Sequence, residues 1–211
     1  MLVTAAAAGH SLHDLLGRDG APRAARAAGL ALADLAASAV DTSLTRHDAD
    51  AEIAVLRTWV ARLRAYAPDL GPTVASALGT VEQALSAGPV EAPPALLHRD
   101  LHDKQLFVTD DGRVELIDLD TLALGERALD LANLLVHLEL RALQRVTSPA
   151  TSRACAAALL EGAEPPGAAR RRLDAYADAA RLRLACVYAF RPAWRGLVPA
   201  LLERIGQPPA P

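Results

Sequence analysis

Hydrophobic side chains recur at helical spacing along most of the chain. Within residues 51–66, the apolar positions fall three or four residues apart, which places them on one face of an α-helix. The same spacing, interrupted by Pro, Gly and short polar runs, predicts further helices over 22–40, 74–86, 129–144, 150–161, 168–190 and 197–205. A short helix is also expected after Ser11, because Asp14 follows three residues later in a capping pattern. The pattern therefore predicts a predominantly helical protein.

One central region has the pattern of a β-hairpin. Residues 106–109 and 114–117 are short apolar stretches, and the Asp-Asp-Gly sequence between them favours a turn. Residues 2–5 are interpreted as the end of another strand. The predicted fold class is α+β, predominantly helical, with a small β-hairpin. This hairpin would hold Asp100 and Asp118, which lie on either side of it, near each other.

Several conspicuous side chains within the helices are assigned structural roles. Gly29 is interpreted as a close-packing position and Trp59 as part of the core. His137 lies on an apolar face, where a hydrogen-bonded core histidine is expected more often than a ligand. His13 is expected to be solvated or to cap a helix, and Arg170–Arg172 to lie on a solvated helix face.

The composition is that of a folded protein. The 211 residues are 52% hydrophobic and 22% charged, and a chain of this length buries roughly 70% of its unfolded surface. Aromatic residues make up only 3%, so the core must be built mainly from Ala, Leu and Val, which favours closely packed helices. No internal repeat or clean domain boundary is visible, and residues 1–211 are treated as one unit.

The charge and the termini argue against some classes of partner. A net charge of −3 and a pI near 6.1 argue against nucleic-acid binding, which needs a basic surface, and are compatible with a cationic substrate. The N-terminus lacks the basic region of a secretory signal, and no apolar run approaches the ~18 residues of a membrane span. Cys155 and Cys186 lie in apolar helical stretches without metal-ligand spacing, which indicates buried thiols in a reducing compartment. The expected location is cytoplasmic.

The candidate chemistry lies in the segment 98–120, which reads HRDLHDKQLFVTDDGRVELIDLD. It places one acid-bearing loop before the hairpin and another after it. In phosphoryl transfer, a protein mainly positions the nucleophile and neutralises phosphate charge with metal ions. One carboxylate accepts the proton of the attacking hydroxyl. Another, with an amide or acid five residues beyond the first, holds Mg²⁺ against the phosphates. The order and spacing of these residues favour this chemistry over ordinary turn acids.

The segment resembles the catalytic and metal-binding loops of kinase-like phosphotransferases, especially the aminoglycoside phosphotransferase family of small-molecule kinases. The residues that carry the resemblance are His98-Arg99-Asp100 followed by Gln105, and Ile117-Asp118-Leu119-Asp120. Three features favour this family over the protein kinases. His102 stands where protein kinases usually carry Lys, Leu-Asp rather than Phe-Gly follows Asp118, and residues 125–132 resemble the family's Gly-acid-x-x-x-Asp-Leu-Ala segment.

The resemblance implies a role for each of these side chains. Asp100 would be the catalytic base and Asp118 the main metal ligand, with Asp120 as an auxiliary acid. Gln105 would make a second metal contact; the family usually has Asn there, and the longer side chain moves the carbonyl oxygen by roughly one bond length. Asp130 would brace the catalytic loop by accepting hydrogen bonds from its backbone. ATP would be the phosphoryl donor and Mg²⁺ the metal.

The resemblance extends only to the C-terminal lobe of the kinase-like fold. Residues 1–9 would be a remnant of the hinge that contacts adenine in this family. The only Lys, Lys104, lies inside the catalytic loop, and no Gly-rich phosphate loop precedes residue 98. The N-terminal nucleotide-binding lobe is therefore expected to be absent, and the residues that would contact the nucleotide are not identified.

Two hypotheses for the function follow. The first is an ATP-dependent phosphotransferase that acts on a hydroxyl of a small molecule. The alternative is a catalytically silent or N-terminally truncated C-terminal lobe that acts as a binding module. The acceptor, which relatives draw from aminoglycosides, choline-like alcohols, sugars and amino alcohols, has no readable motif, and neither has the oligomeric state.

Overall fold

The computed structural model describes residues 6–38, 43–88, 90 and 93–209. The strand expected over 2–5 lies outside these residues. The α-helices of the described chain are α1 (Leu12–Leu15), α2 (Ala21–Ala37), α3 (Ala49–Tyr66), α4 (Gly71–Ser86), α5 (Ala128–Leu143), α6 (Pro149–Ala163), α7 (Gly167–Ala189) and α8 (Val198–Leu202). Each helix predicted from the periodicity is present, although α8 is shorter than expected. None of these helices combines the length and hydrophobicity needed to cross a bilayer.

The described strands form two small three-stranded sheets. They are β1 (His10–Ser11), β2 (Arg46–His47), β3 (Ala95–Leu97), β4 (Leu106–Val108), β5 (Val114–Leu116) and β6 (Ala123–Gly125). In the first sheet, β4 and β5 form the predicted antiparallel hairpin, with Leu106 opposite Leu116, and β1 pairs with the other edge of β4. In the second sheet, β6 lies between β2 and β3. The second sheet was not predicted, because strands of two or three residues are too short to show an alternating pattern.

Helices α2 and α6 pack with their backbones in close approach at two glycines. A Cβ atom on Gly29 would lie 2.2 Å from the carbonyl oxygen of Leu159, and one on Gly162 would lie 2.1 Å from that of Arg26. Either methyl group would collide with backbone atoms that cannot rotate away. Gly29 is thus confirmed as a close-packing position. The small residues let the N-terminal part of the chain lie against the C-terminal helices.

A buried ion pair joins α7 to the segment that leads into α5. The Arg172 Nε–H donates to Glu126 Oε2 at 2.8 Å, and both side chains are almost fully buried. The Tyr176 hydroxyl donates to the same carboxylate at 2.8 Å, and Arg172 also donates to the carbonyl oxygens of Leu85 and Ala87 at the end of α4. The expectation that Arg172 lies on a solvated helix face is therefore wrong. Its spacing in the sequence resembles that of an exposed arginine, and only the distant Glu126 makes burial favourable.

Candidate functional site

The loop after β3 is held in an uncommon backbone conformation by Asp130. Arg99 has φ 73°, in the left-handed region that residues other than Gly rarely occupy. The Asp130 carboxylate, in the first turn of α5, accepts hydrogen bonds from the backbone N–H of His98 at 2.7 Å and of Arg99 at 2.8 Å. Burial raises the pKa of Asp130, although these two donors act in the opposite direction. The bracing role expected for Asp130 is confirmed, and it fixes the position of Asp100, the next residue.

His98 connects this loop to the one that follows the hairpin. Its Nε2–H donates to the backbone oxygen of Ile117 at 2.9 Å, and the Thr121 hydroxyl donates to the backbone oxygen of His98 at 2.7 Å. The two contacts lie on either side of Asp118. Since Asp118 directly follows Ile117, and Asp100 lies two positions after His98, these bonds hold the two acid-bearing loops together as a unit.

Gln105 contacts both loops through its side-chain amide. Its Nε2–H₂ donates to Asp118 Oδ2 at 3.2 Å, and its Oε1 accepts from the backbone N–H of His102 at 3.0 Å. Because the backbone N–H of His102 can only donate, the Gln105 oxygen must face it, and the NH₂ group therefore faces Asp118. Asp118 itself has φ 64°, a second left-handed residue in the same site. The hairpin therefore brings Gln105 and Asp118 together, as the resemblance implied.

The side chains around Asp118 fit a divalent cation that is shared with phosphate groups. The Asp118 carboxylate is exposed, and Asp120 is exposed two residues later in a 3₁₀ turn over Leu119–Thr121. Gln105 Oε1 retains a second lone pair after its bond to His102. Among the residues that the structure describes, no three or more His, Cys, Asp and Glu side chains are grouped so as to hold a metal. Such a sparse set suits Mg²⁺, which proteins often bind through one or two carboxylates while phosphate oxygens and waters complete the coordination.

Asp100 faces a cleft of about 690 Å³ on the side of α3, α5 and α7. Its walls also include Thr121, from the loop that follows the hairpin, and Trp59 from α3. The volume is within the usual range of small-molecule sites. Because the candidate base lies in its wall, a hydroxyl compound in this cleft would be within reach of Asp100.

The floor of the cleft is built around Asp103, which is fully buried. The Arg141 guanidinium donates to both of its carboxylate oxygens, at 2.8 Å and 2.7 Å, and His13 Nδ1–H donates at 2.6 Å. Burial acts to raise the pKa of Asp103, but the bonds from Arg141 outweigh it and hold that pKa below its usual value. The expectation that His13 is merely solvated or capping is wrong, because its side chain lies in the cleft wall as a partner of a buried acid.

His137 also lies in the wall of the cleft. Its Nδ1 has no hydrogen-bond partner within the described residues, and the nearest acid, Asp103 Oδ1, is 3.8 Å away. Burial, together with the positive charge of Arg141, lowers the pKa of His137 to about 3. The ring centroid of His102 lies 5.3 Å from that of His137, and burial lowers the pKa of His102 as well. The expectation of a hydrogen-bonded core histidine is thus wrong, because no pattern near His137 indicated that a cleft lies beside it.

The residues that α7 contributes to the cleft were not predicted. Arg183, Leu184, Val187 and Tyr188 line the cleft, and they share one helical face because Val187 follows Arg183, and Tyr188 follows Leu184, by four residues. This spacing predicted the helix but not what the face contacts. Trp59, expected in the core, is only partly buried and lines the opposite wall. A mixed face of arginine and aromatic residues is the signal from which this wall could have been inferred.

Solved structures with the same fold include three phosphotransferases or kinase-family proteins. A choline/ethanolamine kinase family protein from Mesorhizobium loti is 22% identical, with a TM-score of 0.61 over 96% of this chain and 67% of that one. Amicoumacin kinase, solved with AMP-PNP, Ca²⁺ and Ami, is 14% identical, with a TM-score of 0.66 over 98% of this chain and 65% of that one. Spectinomycin phosphotransferase, solved with ADP and spectinomycin, is 13% identical, with a TM-score of 0.60 over 96% of this chain and 66% of that one.

At these identities the likeness establishes the fold, and the chain spans about two thirds of the length of each structure. No match was found among curated protein sequences. The sequence profile of the phosphotransferase enzyme family, APH, matches residues 2–183, which is most of the chain. This match agrees with the braced Asp100 loop and the adjoining Asp118 loop, and the chain belongs to the phosphotransferase enzyme family.

Proposed function

We propose that the protein transfers the γ-phosphoryl group of ATP to a hydroxyl of a small molecule bound in the cleft. The observation that carries this proposal is the position of Asp100 in the cleft wall. Its loop is braced by Asp130, and His98 ties it to the loop that carries Asp118. Amicoumacin kinase and spectinomycin phosphotransferase, which share the fold, were solved with AMP-PNP and ADP respectively, which supports a nucleotide as donor. We propose this phosphotransferase activity for the protein as a whole.

Asp100 would act as the base in an in-line displacement. The acceptor hydroxyl oxygen forms a bond to the γ-phosphorus, and its proton passes to the Asp100 carboxylate. The bond from that phosphorus to the β–γ bridging oxygen breaks, and its electron pair leaves on ADP. General-base assistance of this kind contributes typically 10²–10⁴-fold. The larger contribution comes from holding both reactants in line, which fixed loops do well.

Asp118 would hold Mg²⁺, with Gln105 and Asp120 as further oxygen donors. When bound, the cation neutralises negative charge on the transferred phosphoryl group and the leaving ADP. In this structure, the Gln105 amide donates to Asp118 Oδ2, so it also fixes the direction of the carboxylate. Asp118 is therefore proposed as the main ligand, and Gln105 as a residue that both positions it and offers one oxygen.

The proposal is tested by following ATP consumption and phosphorus NMR signals with a panel of hydroxyl compounds. A phosphomonoester product is expected with the wild type, and Asp100→Asn should lower its rate by about 10²–10⁴-fold. Asp110→Asn is the matched control, since Asp110 lies exposed in the hairpin turn outside the site. A rate that is equal in wild type and Asp100→Asn would refute Asp100 as the base. Compound binding without any transfer would instead support the binding-module alternative.

A further inference from the structure

The cleft that holds Asp100 is strongly cationic. Among the described residues, its lining includes five basic side chains of Arg and Lys but only one carboxylate, that of Asp100. The basic residues are Arg99, Lys104, Arg141, Arg183 and Arg191. The chain as a whole carries a net charge of −3. The charge of the cleft is therefore opposite to that of the protein, and it cannot be read from the composition.

Two of the five cations are balanced by buried acids behind the wall. Arg141 forms its two hydrogen bonds with Asp103, and Arg183 has Nη1 at 3.6 Å from Glu52 Oε1. Arg183 also donates from Nη2 to Asn133 Oδ1 at 2.7 Å, which fixes the guanidinium at the cleft wall. These pairs hold the two arginines in place and reduce, but do not reverse, the positive potential.

The other three cations, Arg99, Lys104 and Arg191, form no ion pair within 4 Å among the described residues. Arg99 acts on Glu52 only at longer range, and its Nε is buried without a hydrogen-bond partner. The Arg191 guanidinium lies over the Tyr188 ring, 5.3 Å from its centroid, and is exposed at the end of α7. Stacking of this kind holds a guanidinium while leaving its N–H groups available to an oxyanion.

The buried His137 does not add to this charge. Burial lowers the pKa of His137 to about 3, so its imidazole is neutral at neutral pH. The positive potential comes from guanidinium and ammonium groups and persists across the neutral range. A cationic acceptor would meet repulsion from Arg191 and Lys104, with Asp100 as its only exposed counter-ion in the cleft.

One part of the lining is apolar and aromatic. Trp59 and Val55 from α3 face Leu184 and Val187 from α7, and Trp194 follows α7. A ligand that covers these side chains must present an apolar surface of its own, because buried polar groups without partners are costly. The cleft thus combines oxyanion-binding donors with an apolar wall.

We propose that the acceptor is a small hydroxyl compound that carries an anionic group, a carboxylate or a phosphate, on an apolar body. The anion would contact Arg191, with Arg183 and Lys104 nearby, and the hydroxyl would face Asp100. This inference rests on the proposed phosphotransferase function. It excludes polycationic aminoglycosides as good acceptors for this cleft.

The test uses tryptophan fluorescence, because the two tryptophans of the chain, Trp59 and Trp194, both line the cleft. Three compounds with the same skeleton are titrated: 3-phenyllactate (anionic), 1-phenylpropan-2-ol (neutral) and 1-amino-3-phenylpropan-2-ol (cationic). Glycerol 3-phosphate against glycerol tests phosphate in place of carboxylate. At least one anion should bind roughly tenfold or more tightly than its uncharged match, and the amine more weakly than the alcohol.

Variants of Arg191 identify the source of the preference. Arg191→Gln should weaken binding of the anion roughly tenfold without changing binding of the neutral alcohol, and Arg191→Lys should restore part of it. Arg170→Gln is the matched control, since Arg170 is exposed near the start of α7 and does not line the cleft. Equal affinities across the three charge types, tighter binding of the amine, an unchanged Arg191→Gln, or no response to any compound would overturn the proposal.

A separate Mg²⁺-ATP titration distinguishes the two proposals. Anion binding that depends on Arg191, without any ATP binding, would refute the phosphotransferase function and leave only an anion-binding cleft. ATP binding that depends on Asp118, together with a preference for the amine, would refute the anionic acceptor while the phosphotransferase function stands.

Discussion

The brace between Asp130 and the catalytic loop gives the sharpest structural prediction. In Asp130→Asn, the amide keeps one acceptor oxygen but turns an NH₂ group toward one of the two backbone N–H donors. One hydrogen bond, at 2.7 Å to His98 or 2.8 Å to Arg99, is therefore lost, and a buried donor is left without a partner. Hydrogen bonds to charged groups contribute about 1.5–3 kcal/mol each, so the loop should become less stable by that amount. Arg99 would then be free to leave its left-handed conformation.

Amide hydrogen exchange measures this directly and does not require a substrate. Since every 1.4 kcal/mol is tenfold, exchange at His98 and Arg99 should become roughly ten to a hundred times faster in Asp130→Asn. Peptides from α3 and α7 should change much less. Phosphoryl transfer should also fall, because a displacement of about 1 Å can cost 10²-fold. Unchanged protection at both amides would show that Asp130 does not hold the loop, and the account of Asp100 positioning would then be wrong.

Three further predictions concern stability, each measured by urea unfolding. Gly162→Ala should destabilise the protein by about 1–3 kcal/mol or more, because the added methyl group collides with the α2 backbone. Gly79→Ala is the control: its added methyl group meets nothing within 4 Å and should stabilise the protein by roughly 0.5–1 kcal/mol. Arg172→Met should lower the free energy of unfolding by about 3–5 kcal/mol, because it leaves Glu126 buried without its ion-pair partner. Adding Glu126→Leu should recover part of this loss. If the effects of the two substitutions were fully additive, the pairing would be contradicted. Burial lowers the pKa of His137 from 6.5 to about 3, so the unfolded state binds more protons between these values, and the stability present above pH 6.5 is lost as pH falls. Between pH 7 and pH 5, His137→Gln should therefore lose about 2 kcal/mol less of its unfolding free energy than the wild type. Equal losses in the two proteins would refute the assignment.

The sequence predicted the parts of the site that are local. The order of acids around the hairpin places Asp100, Gln105 and Asp118 within one short segment, and a β-hairpin leaves few ways to arrange them. The helices were also predictable, since each buries a continuous apolar face. These features depend on residues that are near one another in the chain.

The features that were missed depend on contacts between distant segments. His13 acquires its role only because Asp103, ninety positions later, is buried beside it. The burial of Arg172 likewise requires Glu126, and the charge of the cleft requires α7 to face the loop that carries Asp100. No periodicity within a single helix reports its partner, so these contacts become visible only when the helices are packed.

Calorimetric titration of Mg²⁺-ATP into the wild type and Asp118→Asn tests the central claim most directly. Asn is chosen because it tolerates the left-handed backbone at position 118 and removes only the charge. Asp110→Asn, in the exposed hairpin turn, is the control. The account predicts a dissociation constant on the order of micromolar in the wild type and the control, and loss of binding by at least tenfold in Asp118→Asn. No heat from a folded wild type, or equal binding by Asp118→Asn, would contradict the assignment of this site to phosphoryl transfer from ATP.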